Sequence, residues 1–337
     1  PLKASQMRRS RPVRTGCAAE PDRSVPRRAK RWCSMLLLGT LLATAAWGEA
    51  QVQRVETEGL HLDRLAALGA GGVVAHWAGF RYFDRAWYQG EKRGSIRWLR
   101  DWSGNTYLHM DKGGHFMGGM FMSRSLGDAF RWTGFTPRAA AGLGAATSWA
   151  LLFEVEMRDA YFADWGFSIP DFLANTAGAS VPLMHTLWPR TQALNFKFSW
   201  FPSPLYLDYD ERLAAGRPRT RYAIDDYEGM TFWLALTVEQ ALPKRLQTRW
   251  PDWLGFAVGY SARGMHGANV KSRGREREYP ELPSAHPEIL LSLDYDARYM
   301  PAGGWLWEEF KQQLNWLHFP APAVRVYPDL RFYLLYL

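Results

Sequence analysis

The sequence predicts an α+β fold: a small helical bundle of about three helices packed with an antiparallel β-sheet or a partial or complete β-barrel. Three observations predict it. From Asp111 to Trp188, apolar and small residues recur at helical spacing, punctuated by good helix starts. After Gln192 the apolar residues alternate with period two, as strands with two unlike faces require. The chain of 337 residues is 47% hydrophobic and 15% aromatic, with 17 Trp, which suits a sizeable core and argues against disorder. The same aromatic load fits a membrane interface, where Trp and Tyr are favoured.

The first 50 residues read as a leader. They hold ten Lys/Arg and three Asp/Glu, net +7 of the chain's +8, so the remainder carries +1. A nucleic-acid surface therefore has no compositional support. Arg27, Arg28, Lys30 and Arg31 form a basic start, followed by an apolar run from Met35 to Trp47, too short to span a bilayer well. Signal-peptide cleavage is expected near Ala50, with the mature protein in the periplasm or outer membrane. Cys17 and Cys33 both precede the end of that run, so no disulfide, thiol nucleophile or lipid-anchor cysteine is expected in the mature chain.

Residues 51–110 form a mixed entry segment. Within it, 71–100 reads as strand, or strand and short helix, because Trp, Tyr and Arg alternate with Gly. Residues 111–190 form the helical core. Its first helix runs from about Asp111 to Trp132. The second starts after Thr136, an N-cap with Pro137 at the first helical position, and reaches about Phe162. The third starts at Ser168 with Pro170 and Asp171 in its first turn, and Pro182 should kink or stop it. Gly113, Gly114, Gly118, Gly119, Ala139–Ala146 and Ala174–Ser180 give these helices small faces that allow close approach. Residues 191–337 form the strand region: Phe196–Tyr209, Met230–Leu242, Leu254–Met265, Ile289–Arg298 and Val324–Leu337. Ile289, Leu291, Leu293 and Tyr295 point one way, and Leu290, Ser292, Asp294, Asp296 and Arg298 the other. A soluble sheet with one wet face has this dyad, and so has an outer-membrane strand with a lipid face and a polar lumen. Charged loops are expected at 209–226 and 266–287.

The chemistry concentrates in the helices. Asp111 and His115 are i and i+4, so they share a face, with Lys112 beside them. A carboxylate so placed can orient the imidazole or raise its pKa. Glu156 and Asp159 are i and i+3 on the second helix, next to the i,i+4 pair Glu154–Arg158. Asp171 and Asn175 are i and i+4 on the third. Buried ionisable groups are costly unless paired, so if these pairs face inward they must satisfy one another. The arrangement suits a general acid/base site, a carboxylate/His metal site, or a hydrogen-bond network that fixes helix packing; Asp171 also stands where a helix-capping carboxylate belongs. One His and no Cys in the segment exclude known zinc spacings, with His185 a further candidate ligand that is more often a packed residue. No GxxxxGK[ST] or GxSxG is present. No cofactor or resident metal is expected.

These residues carry a resemblance. Asp111-Lys112-Gly-Gly-His115, then Glu156 and Asp159, Trp165 to Ser168, and Asp171, Asn175 and Gly178 resemble the YfiM-like family of envelope proteins, a domain of unknown function. A similar skeleton looks shared with VanZ-like membrane proteins, whose helices are longer and more apolar. The resemblance covers about 105–190 and extends into the strand region. It implies an envelope location and these residues, and no established activity. The chain departs from the family in lacking the lipobox of some members.

The expectation is thus an exported envelope protein with a structural or interaction role in the periplasm or outer membrane, meeting membrane or envelope components and no nucleic acid, its oligomeric state open. Two alternatives stand beside it. One is an enzyme acting on an envelope lipid or glycan, with His115 as acid/base oriented by Asp111 and the candidates Lys112, Glu156, Asp159, Asp171 and Asn175 around it. The other is a lipid or small-ligand binding module.

Overall fold

A computed structural model describes residues 59–88, 93–104, 107–162, 165–207, 223–265, 285–301 and 303–336. The leader, both cysteines and most of the two charged loops lie outside these residues. The fold is α+β. Its helices are α1 (Leu62–Phe83), α2 (Met110–Trp132), α3 (Pro137–Asp159), α4 (Ile169–Leu187) and α5 (Trp305–Leu314). A short parallel pair joins β1 (Trp98–Leu99) to β2 (Phe167–Ser168). The main sheet is an antiparallel meander of β3 (Leu194–Trp200), β4 (Met230–Leu236), β5 (Leu254–Arg263), β6 (His286–Tyr295), β7 (Ala321–Tyr327) and β8 (Arg331–Tyr336). The two edge strands are not bonded to each other among the described residues, so the closed-barrel form of the expectation is not met.

Helices α2, α3 and α4 pack through their small residues. A Cβ on Gly178 would fall 1.9 Å from the Phe116 carbonyl, one on Gly119 2.7 Å from that of Asn175, and one on Gly144 2.4 Å from that of Ser123. Backbones this close leave little room for long side chains, and Ser148 uses the proximity to donate to the Gly119 carbonyl at 2.9 Å. The helix starts follow their sequence signals: Thr136 accepts from Ala139 N, and Ser168 from Asp171 N, each with Pro in the first turn.

Three expectations need correction. Strand, or strand and short helix, is expected over 71–100; the strand found there among the described residues is Trp98–Leu99, and residues 62–83 are one long helix. Their Gly-Gly and Val-Val pairs mask a helical period, and Leu62, Val73, Val74 and Trp77 stay exposed, so burial supplies no strong periodic signal. Pro182 lies inside α4 without ending it, the helix running on to Leu187 against α2. The last expected strand is a hairpin, β7 and β8, turned at Pro328-Asp329, both residues with turn chemistry. Helix α5 was not expected at all.

The main sheet has inverted faces. Phe196, Leu234, Val258, Leu291, Val324 and Phe332 are successive register partners across all six strands. On the opposite face Lys197, Trp233, Gly259, Leu290 and Arg325 are likewise in register. That second face is the buried one, and it is rich in polar groups. Lys197 Nζ is sealed against Asp294 at 2.7 Å and the Tyr295 carbonyl at 2.7 Å. Gly259 leaves room for the Trp233 indole, whose Nε1 donates to Ser199. The sheet curls far enough for Tyr336 on β8 to hydrogen-bond Thr231 on β4 at 3.2 Å. The outer edge of β3 is met by the segment before β7: Phe198 N donates to Trp316 O and His318 N to Phe198 O.

Inside this curl His318 stacks on Trp233, ring centroids 3.9 Å apart, with Nε2 3.1 Å from the Leu293 carbonyl. Burial and the Lys197 charge push its pKa down to about 4. An imidazole with a depressed folded pKa takes its proton first in the unfolded chain. Its contribution to stability is therefore present above the unfolded value near 6.5 and is lost as pH falls towards about 4, a swing of about 3 kcal/mol. Thermal unfolding of the parent and His318→Asn across that window should show the parent's advantage shrinking on acidification. Parallel pH profiles would rule it out.

Candidate functional site

The strands β1 and β2 set the site up. Their register places Leu99 beside Ser168, and two residues on, Asp101 meets the Ser168 hydroxyl at 3.0 and 3.1 Å. The same hydroxyl caps α4 through Asp171 N at 3.1 Å. A left-handed turn leads into α2: Tyr107, Leu108 and His109 all have positive φ (46°, 51° and 66°). Such backbone costs about 1–2 kcal/mol per residue. Buried Leu108 holds it in place, its carbonyl accepting from the Tyr260 hydroxyl on β5.

Beyond that turn, three helices deliver one cluster. Lys112 is its hub. The ammonium contacts Asp101, Asp111 at 2.8 Å and Asp171 at 3.0 Å, with only 13% of the side chain exposed. His115 is the second centre: Nδ1 lies 3.1 Å from Asn175 Oδ1 and 3.4 Å from Glu156 Oε1, and Nε2 4.0 Å from Asp171 Oδ2. Asn175 Nδ2 donates to Glu156 Oε1 at 3.0 Å, and Ser168 N donates to Glu156 Oε2 at 3.4 Å. Asp101, Asp111, Glu156, Asp171 and Asn175 are all buried.

Of the seven residues singled out by sequence, Asp111, Lys112, His115, Glu156, Asp171 and Asn175 meet here. Asp159 stands at the margin and accepts its hydrogen bond from the Tyr88 hydroxyl. One pairing is corrected. Asp111 does not orient His115; it turns back to Lys112, accepting from Nζ and from the backbone N at 2.9 Å. A bond across the helix interface to Asn175 fixes the imidazole instead. His185 is outside the groups of close metal-ligating side chains found among the described residues, which are His115/Glu156/Asp171 and Asp101/Asp111/Asp171. Sequence reasoning missed Asp101 and Tyr88, which carry no local signal. It read Ser168 as a helix start and as part of the Trp165–Ser168 motif, and not as a partner of Asp101.

The electrostatics are lopsided. Five carboxyl groups face Lys112 and His115. Burial pushes Glu156 up to about 8, with Asp171 and Asp159 adding to the effect against the pull of His115. Burial takes Asp159 up to about 6, against the Tyr88 hydrogen bond. Asp111 is raised by burial and by Asp171, against Lys112. Lys112 and His115 are both raised: burial works to lower them, and the acids, Asp171 foremost, overcome it. Such a set can hold and pass protons or take up a cation.

The comparisons with known proteins fall on this region. Residues 98–186, from β1 through α4, match the model of a family described as "Predicted periplasmic lipoprotein (DUF2279)". Every cluster residue from Asp101 to Asn175 lies within the matched stretch, and Tyr88 outside it. The description fits an exported envelope protein and names no activity. No curated protein and no solved structure matches the chain.

Proposed function

We propose that the protein is a lipid-facing protein of the cell envelope, seated in the outer membrane by its main sheet, with the helical cluster held beside it. One observation carries this reading: the sheet buries its polar face and exposes its apolar one. Leu234, Val258, Leu291 and Phe332 are 43%, 48%, 47% and 66% exposed, whereas Lys197, Glu288 and Asp294 are at 0%, 2% and 3%. A water-facing sheet has the opposite polarity, and a strand in lipid has this one. Helices α2 and α4 cover the β3–β4 end of the apolar face, through Phe116 on Phe196 and Phe121 on Phe198, and the turn into α2 covers Tyr260 on β5. Aromatic residues flank the uncovered part: Trp253 and Tyr295, stacked together, at one end of β5 and β6, and Tyr327 on β7 towards the other. No helix among the described residues is long and apolar enough to cross a membrane.

Fractionation tests the reading. The full-length protein should sediment with outer membranes and resist alkaline carbonate; release by osmotic shock would overturn it. Leu291→Lys supplies a second test. In lipid a lysine near mid-height costs about 2–4 kcal/mol, whereas in water an exposed substitution stays within about 0.5 kcal/mol. Membrane assembly of Leu291→Lys should therefore drop sharply.

A second reading, an enzyme acting on an envelope lipid or glycan, is favoured by the accessibility of His115. Its side chain is 23% exposed, the most open in a cluster otherwise sealed, and Asn175 and Glu156 hold it in place. Under this reading His115→Ala abolishes turnover while leaving the helical signal intact. Unchanged turnover of an identified envelope substrate would exclude it.

A further inference from the structure

We infer that His115, Glu156 and Asp171 form a binding site for a divalent transition-metal ion of the Zn²⁺ or Mn²⁺ class, with Asn175 setting the imidazole for it. The inference does not depend on the membrane reading. One ligand atom from each of the three residues lies within 4.8 Å of the others.

The hydrogen bonds decide which nitrogen is available. Glu156 Oε1 takes the Asn175 amide nitrogen, so the Asn175 oxygen must face His115 Nδ1. Nδ1 then carries a proton, and Nε2 is the nitrogen turned towards Asp171. A metal-bound histidine has the same arrangement, its second ring N–H donated to a fixed acceptor. Asp171 supplies the independent sign. It is only 6% exposed, and its buried Oδ1 accepts no hydrogen bond among the described residues. Oδ1 pairs with the Lys112 ammonium at 3.0 Å, and Oδ2 faces His115 Nε2 at 4.0 Å. The gap is too long for a hydrogen bond, and an ion with bonds of about 2.0–2.2 Å can bridge it.

Lys112 explains why the ion belongs here. The neighbouring group of Asp101, Asp111 and Asp171 already holds that ammonium against all three of its members, while in the His115 group Lys112 pairs with Asp171 and with neither His115 nor Glu156 among the ion pairs of the described residues. One imidazole with two carboxylates suits a first-row transition ion better than Ca²⁺ or Mg²⁺, which prefer all-oxygen shells.

The test uses the full-length protein in detergent, stripped with chelator and desalted. Zn²⁺, Mn²⁺ and Mg²⁺ are titrated by calorimetry, and Co²⁺ is followed by its visible absorption. One transition ion per chain is expected, with Mg²⁺ much weaker. His115→Ala and Asp171→Asn should each weaken binding by about 100-fold, at the upper end of what even supporting residues cost. Glu154→Gln, on the separate His76–Glu154–Arg158 group, should bind as the parent does. Absence of binding in the parent, or equal binding in His115→Ala, would overturn the inference. Should a variant fail to fold, the parent alone still decides. The Co²⁺ spectrum must show an imidazole nitrogen ligand, and the His115 ring resonances must move on Zn²⁺ addition. An oxygen-only spectrum or a stationary ring would sink the proposal.

Discussion

Replacing Lys112 with methionine is expected to cost the helical bundle about 3–5 kcal/mol at neutral pH, a large part of any domain's stability. The reason is what remains. Asp101, Asp111 and Asp171 converge on one ammonium, and its removal leaves three buried carboxylates without their cation. The loss should depend on pH in a definite sense. Asp111 is already raised by burial and Asp171, and Lys112 is what restrains it. Without Lys112 its folded pKa climbs further above the unfolded value near 3.9. The folded variant then holds more protons than its unfolded chain, so its stability falls as pH rises through that window and recovers on acidification. Urea unfolding of parent and variant, followed by far-UV circular dichroism at several pH values, checks both claims. The gap should be widest near neutrality and narrow in acid. Equal midpoints at neutral pH would mean that the acids do not rely on Lys112.

Gly178→Ala should be comparably damaging for a steric reason. The new methyl would fall 1.9 Å from the Phe116 carbonyl oxygen and 2.7 Å from its carbon, both backbone atoms that no rotamer change can clear. Helices α2 and α4 must then separate. Overpacking typically costs about 1–3 kcal/mol, and a backbone-on-backbone clash belongs at or above the top of that range. The separation also pulls Asn175, one turn earlier on α4, away from His115. Gly118→Ala is the control: a Cβ there meets nothing within 4 Å. Since alanine is the better helix former, Gly118→Ala should raise stability by up to about 1 kcal/mol. Opposite shifts in thermal midpoint for these two substitutions would tie the glycines to helix contact. Like shifts would refute the packing argument.

Much of the cluster was legible because its members come in pairs at helical spacing. Asp111 and His115, Glu156 and Asp159, and Asp171 and Asn175 can each be drawn on one helix face without knowing how the helices meet. The actual partnerships were not legible. Spacing favours Asp111 as the partner of His115, but the side chains lean towards neighbouring helices, so Asp111 closes on Lys112 while Asn175 takes the imidazole. Asp101 arrives through a two-residue parallel ladder, β1 with β2, too short to leave a periodic trace. Helix α1 was misread because its Gly and β-branched pairs argue against helix and much of its length stays exposed.

By itself the sequence determined the α+β class, the starts of α3 and α4 at Thr136 and Ser168, the two-faced strands, and six of the residues that meet in the cluster. These are local properties: caps, periods and spacings act within a few residues of one another. Tertiary structure alone decided which face of the sheet is buried, because alternation shows that two faces differ and not which one turns inward. It also decided that Lys112 would satisfy three acids and that Asp171 would face His115 across 4.0 Å, since the contacts to Asp171 join residues on different helices, far apart in the chain.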